Sequence, residues 1–385
     1  MDVMKRFSFA LPTRIEFGPG AIECLPEEIK NLGAKKPLII TDKGVAASGL
    51  LKKVTALMDK AGIKYEIFDD VAPNPRDENV HKGAAAAKAA GSDCLIAVGG
   101  GSPIDCAKAI SVMATHTGEI IDYRGVENVP GNTLPIIAVP TTAGSGSEVT
   151  FSSVITDLKT KTKFTLRSVK IAARVAVCDP ELTASMPKPL TAATGMDALT
   201  HAIEGYTATC AEPIANAVAL YAVTLISQHL RTAVSDGANV EARAGMLMGS
   251  LLGAMSFSHS DVASVHCIAE ALGGVYDKPH GVCNAICLPE VMDYSKDYCV
   301  EKYSNVAKAM GLPFSSREEG AAAAVAEVRK LAGDVGLPAF KTLGINESDF
   351  PDIAKKSFEN LSNLSNPRQL TAEDYMEILK RLNSR

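Results

Sequence analysis

Four short apolar runs punctuate the first half of the chain: PLIITD at 37–42, KYEIFDD at 64–70, DCLIAV at 93–98 and LPIIAVP at 134–140. Between them, 50–61 and 77–90 repeat apolar residues at helical spacing. Short, near-continuous apolar runs predict strands buried on both faces, and strand–helix–strand order predicts a parallel sheet covered by helices. Segments 7–17 and 153–178 add further β-rich stretches. After Asp179-Pro180 the texture changes to helix after helix, at 191–206, 213–233, 240–272, 317–335 and 372–382. The expected fold is an α/β Rossmann-like domain over 1–184 and an all-α domain over 185–385. The boundary falls near 180–188, at MPKP.

The chain has 385 residues, which fits two or three domains at about 150 residues each. Its 39 Lys and Arg against 44 Asp and Glu leave a net charge of −5. No basic excess exists to neutralise phosphates, and no Trp is present for base stacking, so nucleic acid is excluded as the main partner. No apolar run approaches the ~18–20 residues of a membrane helix. Lys5 and Arg6 precede an apolar stretch, 7–12, that is too short for a secretory signal. Nine cysteines, scattered and odd in number, read as reduced thiols of a cytoplasmic protein. Cys283 and Cys287, four residues apart, read as packing.

Two loops carry candidate chemistry. The run at 93–98 leads into Gly99-Gly100-Gly101-Ser102-Pro103, where bare backbone can approach a phosphate at a helix start. A plain tight β–α turn has the same sequence. The run at 134–140 ends in Thr141-Thr142-Ala143-Gly144-Ser145-Gly146, whose hydroxyls and N–H groups suit ribose and phosphate. Asp42, after an earlier strand, is placed to accept from a ribose 2′-hydroxyl, which would favour NAD over NADP. A helix N-cap is its commoner role.

Five of the seven His lie between 201 and 280. Asp197 and His201 stand one helical turn apart, which suits one face of a helix. With His266 and His280 they offer one carboxylate and three imidazoles, a set for a divalent ion such as Fe(II) or Zn(II). Taken alone, the first pair also reads as a helix salt bridge. His229 reads as a surface residue.

These residues resemble the iron-containing (group III) alcohol dehydrogenases, and the resemblance runs over nearly the whole chain. It is carried by GGGSPIDCAK (99–108), PTTAGSGSE (140–148), DPELTASMPKPLTAATGMDALTHAIE (179–204) and PHG (279–281). The resemblance implies metal ligation by Asp197, His201, His266 and His280, with Fe(II) favoured. It implies NAD(H) contacts from Asp42, Gly99, Gly100, Ser102, Thr141, Thr142 and Ser145. Asn74, in Pro73-Asn74-Pro75, resembles the family's adenine-side turn, and Lys163 resembles a lysine near the nicotinamide ribose.

Two positions depart from the family pattern. Glu270 stands where a second His is usual, and His259 stands where an Asn is usual. Positions 259, 266 and 270 are spaced by seven and four, so a continuous helix would turn all three to one side. His259 and Glu270 are then candidates for a proton relay or for shaping the substrate pocket. Glu270 is equally placed to hydrogen-bond a ligand imidazole.

The expected activity is metal-assisted hydride transfer between NAD(H) and a short-chain primary alcohol or diol and its aldehyde, in a cleft between the two domains. Glycerol dehydrogenase-like polyol oxidation is an alternative. So is a dehydroquinate-synthase-like lyase or a glycerol-1-phosphate dehydrogenase, or a scaffold that binds without turnover. Segments 197–205 and 259–285 contain one Lys, Lys278, and no Arg, which disfavours a phosphorylated substrate. The β-like segment 6–11 could pair with its copy, so a homodimer or larger homo-oligomer is expected.

Overall fold

A computed structural model describes residues 4, 6–160 and 162–384; Lys5 lies outside the described residues. The first half contains strands β1 (Arg14–Phe17), β2 (Pro37–Ile40), β3 (Glu66–Phe68), β4 (Cys94–Gly99), β5 (Gly125–Val126), β6 (Ile136–Pro140), β7 (Ser152–Asp157), β8 (Thr162–Arg167) and β9 (Val175–Cys178). Helices α1 (Leu25–Asn31), α2 (Lys43–Ser48), α3 (Leu50–Lys60), α4 (Asp77–Ala90) and α5 (Gly101–Thr115) connect them.

Six strands form one sheet in the order β1-β9-β6-β4-β2-β3, and every pairing in it is parallel. Alternation along each strand divides the core in two. Leu38, Ile40, Leu95, Ala97, Ile136 and Ala138 pack with Val80, Ala84, Ile104 and Ile110 from α4 and α5. Ile39, Ile96, Val98, Ile137 and Val139 pack on the other face with Leu25, Ile29, Val54 and Met58 from α1 and α3. This is why the strands read as unbroken apolar runs rather than as alternating ones. The β-rich stretch after 152 supplies β7 and β8, an antiparallel pair in a separate three-stranded sheet, and then β9.

From β2 the chain steps to β3 on one side and to β4 on the other, so its winding reverses there. The carboxyl ends at such a reversal are where open α/β sheets bind ligands. Gly99 is in register with Pro140 across β4 and β6. The two candidate loops therefore leave neighbouring strands at one level.

The remainder is helical: α6 (Lys188–Thr207), α7 (Pro213–Ser235), α8 (Val240–Ser260), α9 (Ser264–Tyr276), α10 (His280–Ser295), α11 (Val300–Ala309), α12 (Arg317–Asp334), α13 (Phe350–Glu359) and α14 (Ala372–Asn383). Residues 143–145 and 6–9 group with this helical unit, and the sheet unit comprises 10–142 and 146–186.

Three expectations change. The stretch 240–272 is not one helix, because it breaks after Ser260. Asp261 adopts φ 71°, a conformation that a side chain disfavours. Its carboxylate accepts from Ser362 Oγ at 3.1 Å and Ser365 Oγ at 2.7 Å. The break is thus held by residues a hundred positions away. Segment 6–11 holds no strand, and pairing begins only at Arg14. His229 is half-buried and packs its ring over Gly245 of α8. The nine cysteines are free thiols, Cys283 and Cys287 both buried. No helix of the described residues is long and apolar enough to cross a membrane.

Candidate metal centre and dinucleotide loops

Three helices of the helical unit supply one polar cluster. α6 presents Asp197 and His201 a turn apart, α9 presents His266 in its first turn, and α10 opens on His280. One ligand atom from each of these residues lies within 4.8 Å of the other three, and only His280 is more than slightly exposed. Gly281 permits the approach of α10, since a Cβ there would stand 3.3 Å from Ala193 O and 3.5 Å from Asp197 Cβ. Phe257 stacks on the His201 ring at 4.4 Å between centroids.

Burial pushes His201 down to about 4, so its imidazole is a neutral lone-pair donor near neutral pH. Burial works against the Asp197 carboxylate, but the surrounding imidazoles and the Asn284 amide outweigh it and hold its pKa below the ordinary range. A buried carboxylate amid three imidazoles is a donor set with no cation of its own, and it fits a divalent ion.

Glu204, on α6, organises α9. One oxygen accepts from His266 Nδ1 at 2.6 Å and from Ala263 N at 2.9 Å, and the other accepts from Val265 N at 2.7 Å. Asn366 Oδ1 takes Ser264 N at 2.8 Å. The N–H groups that a helix start leaves unpaired are thus satisfied from elsewhere in the unit. Burial lowers the His266 pKa, and the Glu204 bond more than offsets this and raises it. With Nδ1–H committed to Glu204, Nε2 is left as the donor atom.

The chain between 259 and 266 is not one helix, so the geometry that would align 259, 266 and 270 is missing. His259 Nδ1 meets Met255 O at 2.8 Å, and its ring stacks on Phe9 at 3.9 Å. Glu270 accepts from Asn360 Nδ2 at 2.7 Å. Neither belongs to the ligand group. The carboxylate on the ligand imidazole is Glu204, which reading by sequence spacing missed. Its signal was its place seven residues after Asp197, two turns along the same face.

In the sheet unit, Gly99 has φ 153°, and a Cβ there would meet Pro103 Cγ at 2.5 Å. Gly100 lies against Thr142, with a notional Cβ 3.0 Å from Thr142 Oγ1. Thr141 N bonds Gly99 O at 3.0 Å. No described side chain caps the start of α5, where Ser102 sits. Those N–H groups and the helix dipole favour an anion. Asp42 caps α2, its Oδ1 accepting from Val45 N at 2.9 Å. Lys163 Nζ donates to Asn74 Oδ1 at 2.9 Å, joining two residues 89 positions apart. Asn74 has φ 53°. Ser145 groups with the helical unit.

The lysine of the glycine-rich motif is spent internally. Lys108 is fully buried, and its Nζ donates to Ser147 O at 2.7 Å, Thr150 Oγ1 at 2.8 Å and Ser152 O at 2.8 Å. Asp105 accepts from Ser147 Oγ and from Val154 N. The network fastens α5 to the chain after the second loop.

Residues 12–180 match the model of the iron-containing alcohol dehydrogenases, and residues 191–383 match that family's C-terminal domain. The chain belongs to the iron-containing alcohol dehydrogenase family. Among its members, the 1,3-propanediol dehydrogenase of Citrobacter freundii is 41% identical over 381 residues, covering 98% of each chain. A crystal structure of 1,3-propanediol oxidoreductase superposes with a TM-score of 0.96 at 41% identity, covering 98% of this chain and 100% of that one. A sulfoacetaldehyde reductase from Bifidobacterium kashiwanohense, solved in complex with NAD+, has a TM-score of 0.90 at 30% identity, covering 99% of both chains. Family membership makes the protein a dehydrogenase of alcohols, or a reductase of aldehydes in the reverse direction.

Proposed function

We propose that this protein interconverts a short-chain primary alcohol or diol and its aldehyde with NAD(H), using Fe(II) held by Asp197, His201, His266 and His280. The observation that carries the reading is the convergence of four ligand atoms within 4.8 Å, three of them from buried residues. When bound, the ion supplies Lewis acidity toward the substrate oxygen, and the nicotinamide exchanges the hydride.

The chain's own residues do the rest. Glu204 holds His266 in one tautomer. Gly99, Gly100, Ser102 and the start of α5 offer N–H groups to a pyrophosphate, with Thr141, Thr142 and Ser145 following on the second loop. Asp42 spends one oxygen on α2, and its other oxygen is assigned to a ribose hydroxyl, repelling a 2′-phosphate. Lys163 and Asn74 act as a joined pair on the cofactor. The short-diol preference is carried over from the propanediol-oxidising relative. An unphosphorylated substrate agrees with the lack of Arg around the ligand set and with the internal use of Lys108. His259 and Glu270 shape the substrate side in this reading, and their contacts give no support to a direct relay. A homo-oligomer belongs to the same reading, because β1 is an edge strand onto which a second copy could build.

The test is metal removal and reconstitution with a panel of short aldehydes and diols. Chelation is expected to abolish turnover while NADH binding, followed by fluorescence, survives. Full turnover by a verified metal-free preparation would overturn the proposal.

A further inference from the structure

Asn284 stands one turn after His280 on α10 and is fully buried. Its side-chain amide reaches directly into the ligand set. Nδ2 lies 2.7 Å from Asp197 Oδ1, 3.0 Å from His266 Nε2 and 3.1 Å from His280 Nε2. An amide nitrogen carries two hydrogens, so these three acceptors outnumber what it can give. The other end of the amide, Oδ1, is buried with no hydrogen-bond partner.

The orientation of the amide follows from its surroundings. His266 donates from Nδ1 to Glu204, which leaves Nε2 as an acceptor. Turning the amide over would press its carbonyl oxygen against a carboxylate oxygen and two imidazole lone pairs. The NH2 end therefore faces the ligands. An imidazole nitrogen has a single in-plane lone pair, and a cation needs that same pair. Hydrogen bonding to Asn284 and ligation of an ion are mutually exclusive at His266, whose Nδ1 is taken by Glu204, and at Nε2 of His280.

We propose that Asn284 is a built-in placeholder for the cation. Its NH2 group keeps Asp197, His266 and His280 converged in the metal-free protein. It has to release them for an ion to enter, and it thereby sets how fast and how tightly the site loads. This rests on the reading of the four residues as a metal site. Asn284 is a positioning residue in this scheme, and its effect on affinity has the opposite sign from that of a packing residue. Removing a packing residue loosens the ligands and weakens binding. Removing the placeholder removes a competitor and strengthens it.

The test compares the metal-free full-length protein with Asn284→Ala and Asn284→Leu, using Co(II) as the probe. Its visible absorption reports ligation at equilibrium and in stopped flow, and thermal melting reports the metal-free state. Both variants are expected to melt lower without metal and to load Co(II) faster. Each should bind Co(II) about tenfold more tightly, the worth of one or two lost hydrogen bonds. The Leu variant fills about the same volume with neither an N–H to donate nor an oxygen to ligate, so it carries the test if the Ala variant does not fold without metal. Unchanged loading rates with equal or weaker Co(II) affinity in both variants would overturn the proposal. A wild-type protein that binds no Co(II) would defeat the metal-site reading itself, and the placeholder with it.

Discussion

The two units treat buried polar groups in opposite ways. In the sheet unit Lys108 is fully paired, its Nζ shared among Ser147, Thr150 and Ser152, with Glu148 Oε1 the nearby acceptor left without a donor, and the groups proposed for a ligand are backbone N–H groups on the loops. In the helical unit the ligand cluster has more lone pairs than hydrogens. The first arrangement is an internal network finished at Lys108, and the second, on the proposed reading, awaits a cation. The same residue types, Asp and a basic partner a turn apart, are structural at 105 and 108 and proposed as ligands at 197 and 201. What separates the cases is whether the neighbours supply donors.

Lys108→Met breaks this contrast most severely. It leaves the Ser147 and Ser152 carbonyls without a donor and Asp105 without its cation, and removing one partner of a buried pair costs about 3–5 kcal/mol. Denaturant unfolding should show that loss, with metal affinity of the purified folded protein little changed. A cost below about 1 kcal/mol, the scale of an exposed pair, would mean that the network is not finished as described.

Glu148 gives the next largest effect. It is fully buried, and burial raises its pKa to about 7 from an ordinary 4.5. A carboxyl with a raised folded pKa binds protons more readily in the fold. Its stabilising share is complete below pH 4.5, falls as pH rises and is gone above about 7. Glu148→Gln should therefore match the wild type near pH 4.5 and exceed its stability by about 3 kcal/mol at pH 8. Parallel stability curves across that window would refute the assignment.

Glu204→Gln sharpens the comparison from the other side. The variant keeps one acceptor but loses the charge that fixes His266. Metal affinity should fall about 10–100-fold, the usual consequence of losing a carboxylate behind a ligand imidazole. Nitrogen NMR of His266 should show mixed tautomers, a change that loss of packing alone does not produce.

Much of this was legible in the order of residues. The strands at 37–40, 94–99 and 136–140 follow from apolar runs that the two-sided core demands, and α4 follows from its spacing. The four residues proposed as ligands were visible as a cluster of His with one Asp, and the family resemblance gave them that role. What escaped depends on distant chain. The break at Asp261 is fixed by Ser362 and Ser365, and no local pattern announces it. Glu270 was weighed as the partner of a ligand imidazole because spacing placed it near His266. Glu204 takes that position because α6 crosses the start of α9. The Asn74–Lys163 bond joins a turn to a strand, and spacing carries no trace of it.

Asp197, His201 and Glu204 share one helical screw, and this limits how the protein can vary. A single residue inserted between 197 and 204 would disturb the buried faces of α6, even where its backbone stayed helical. It would also swing one part of the trio about 100° from the rest. Length in that helix is therefore coupled to chemistry, and the turn after it, at 208–212, is itself tied to the unit through Thr209 N to Ser365 O and Cys210 Sγ to Ser260 O.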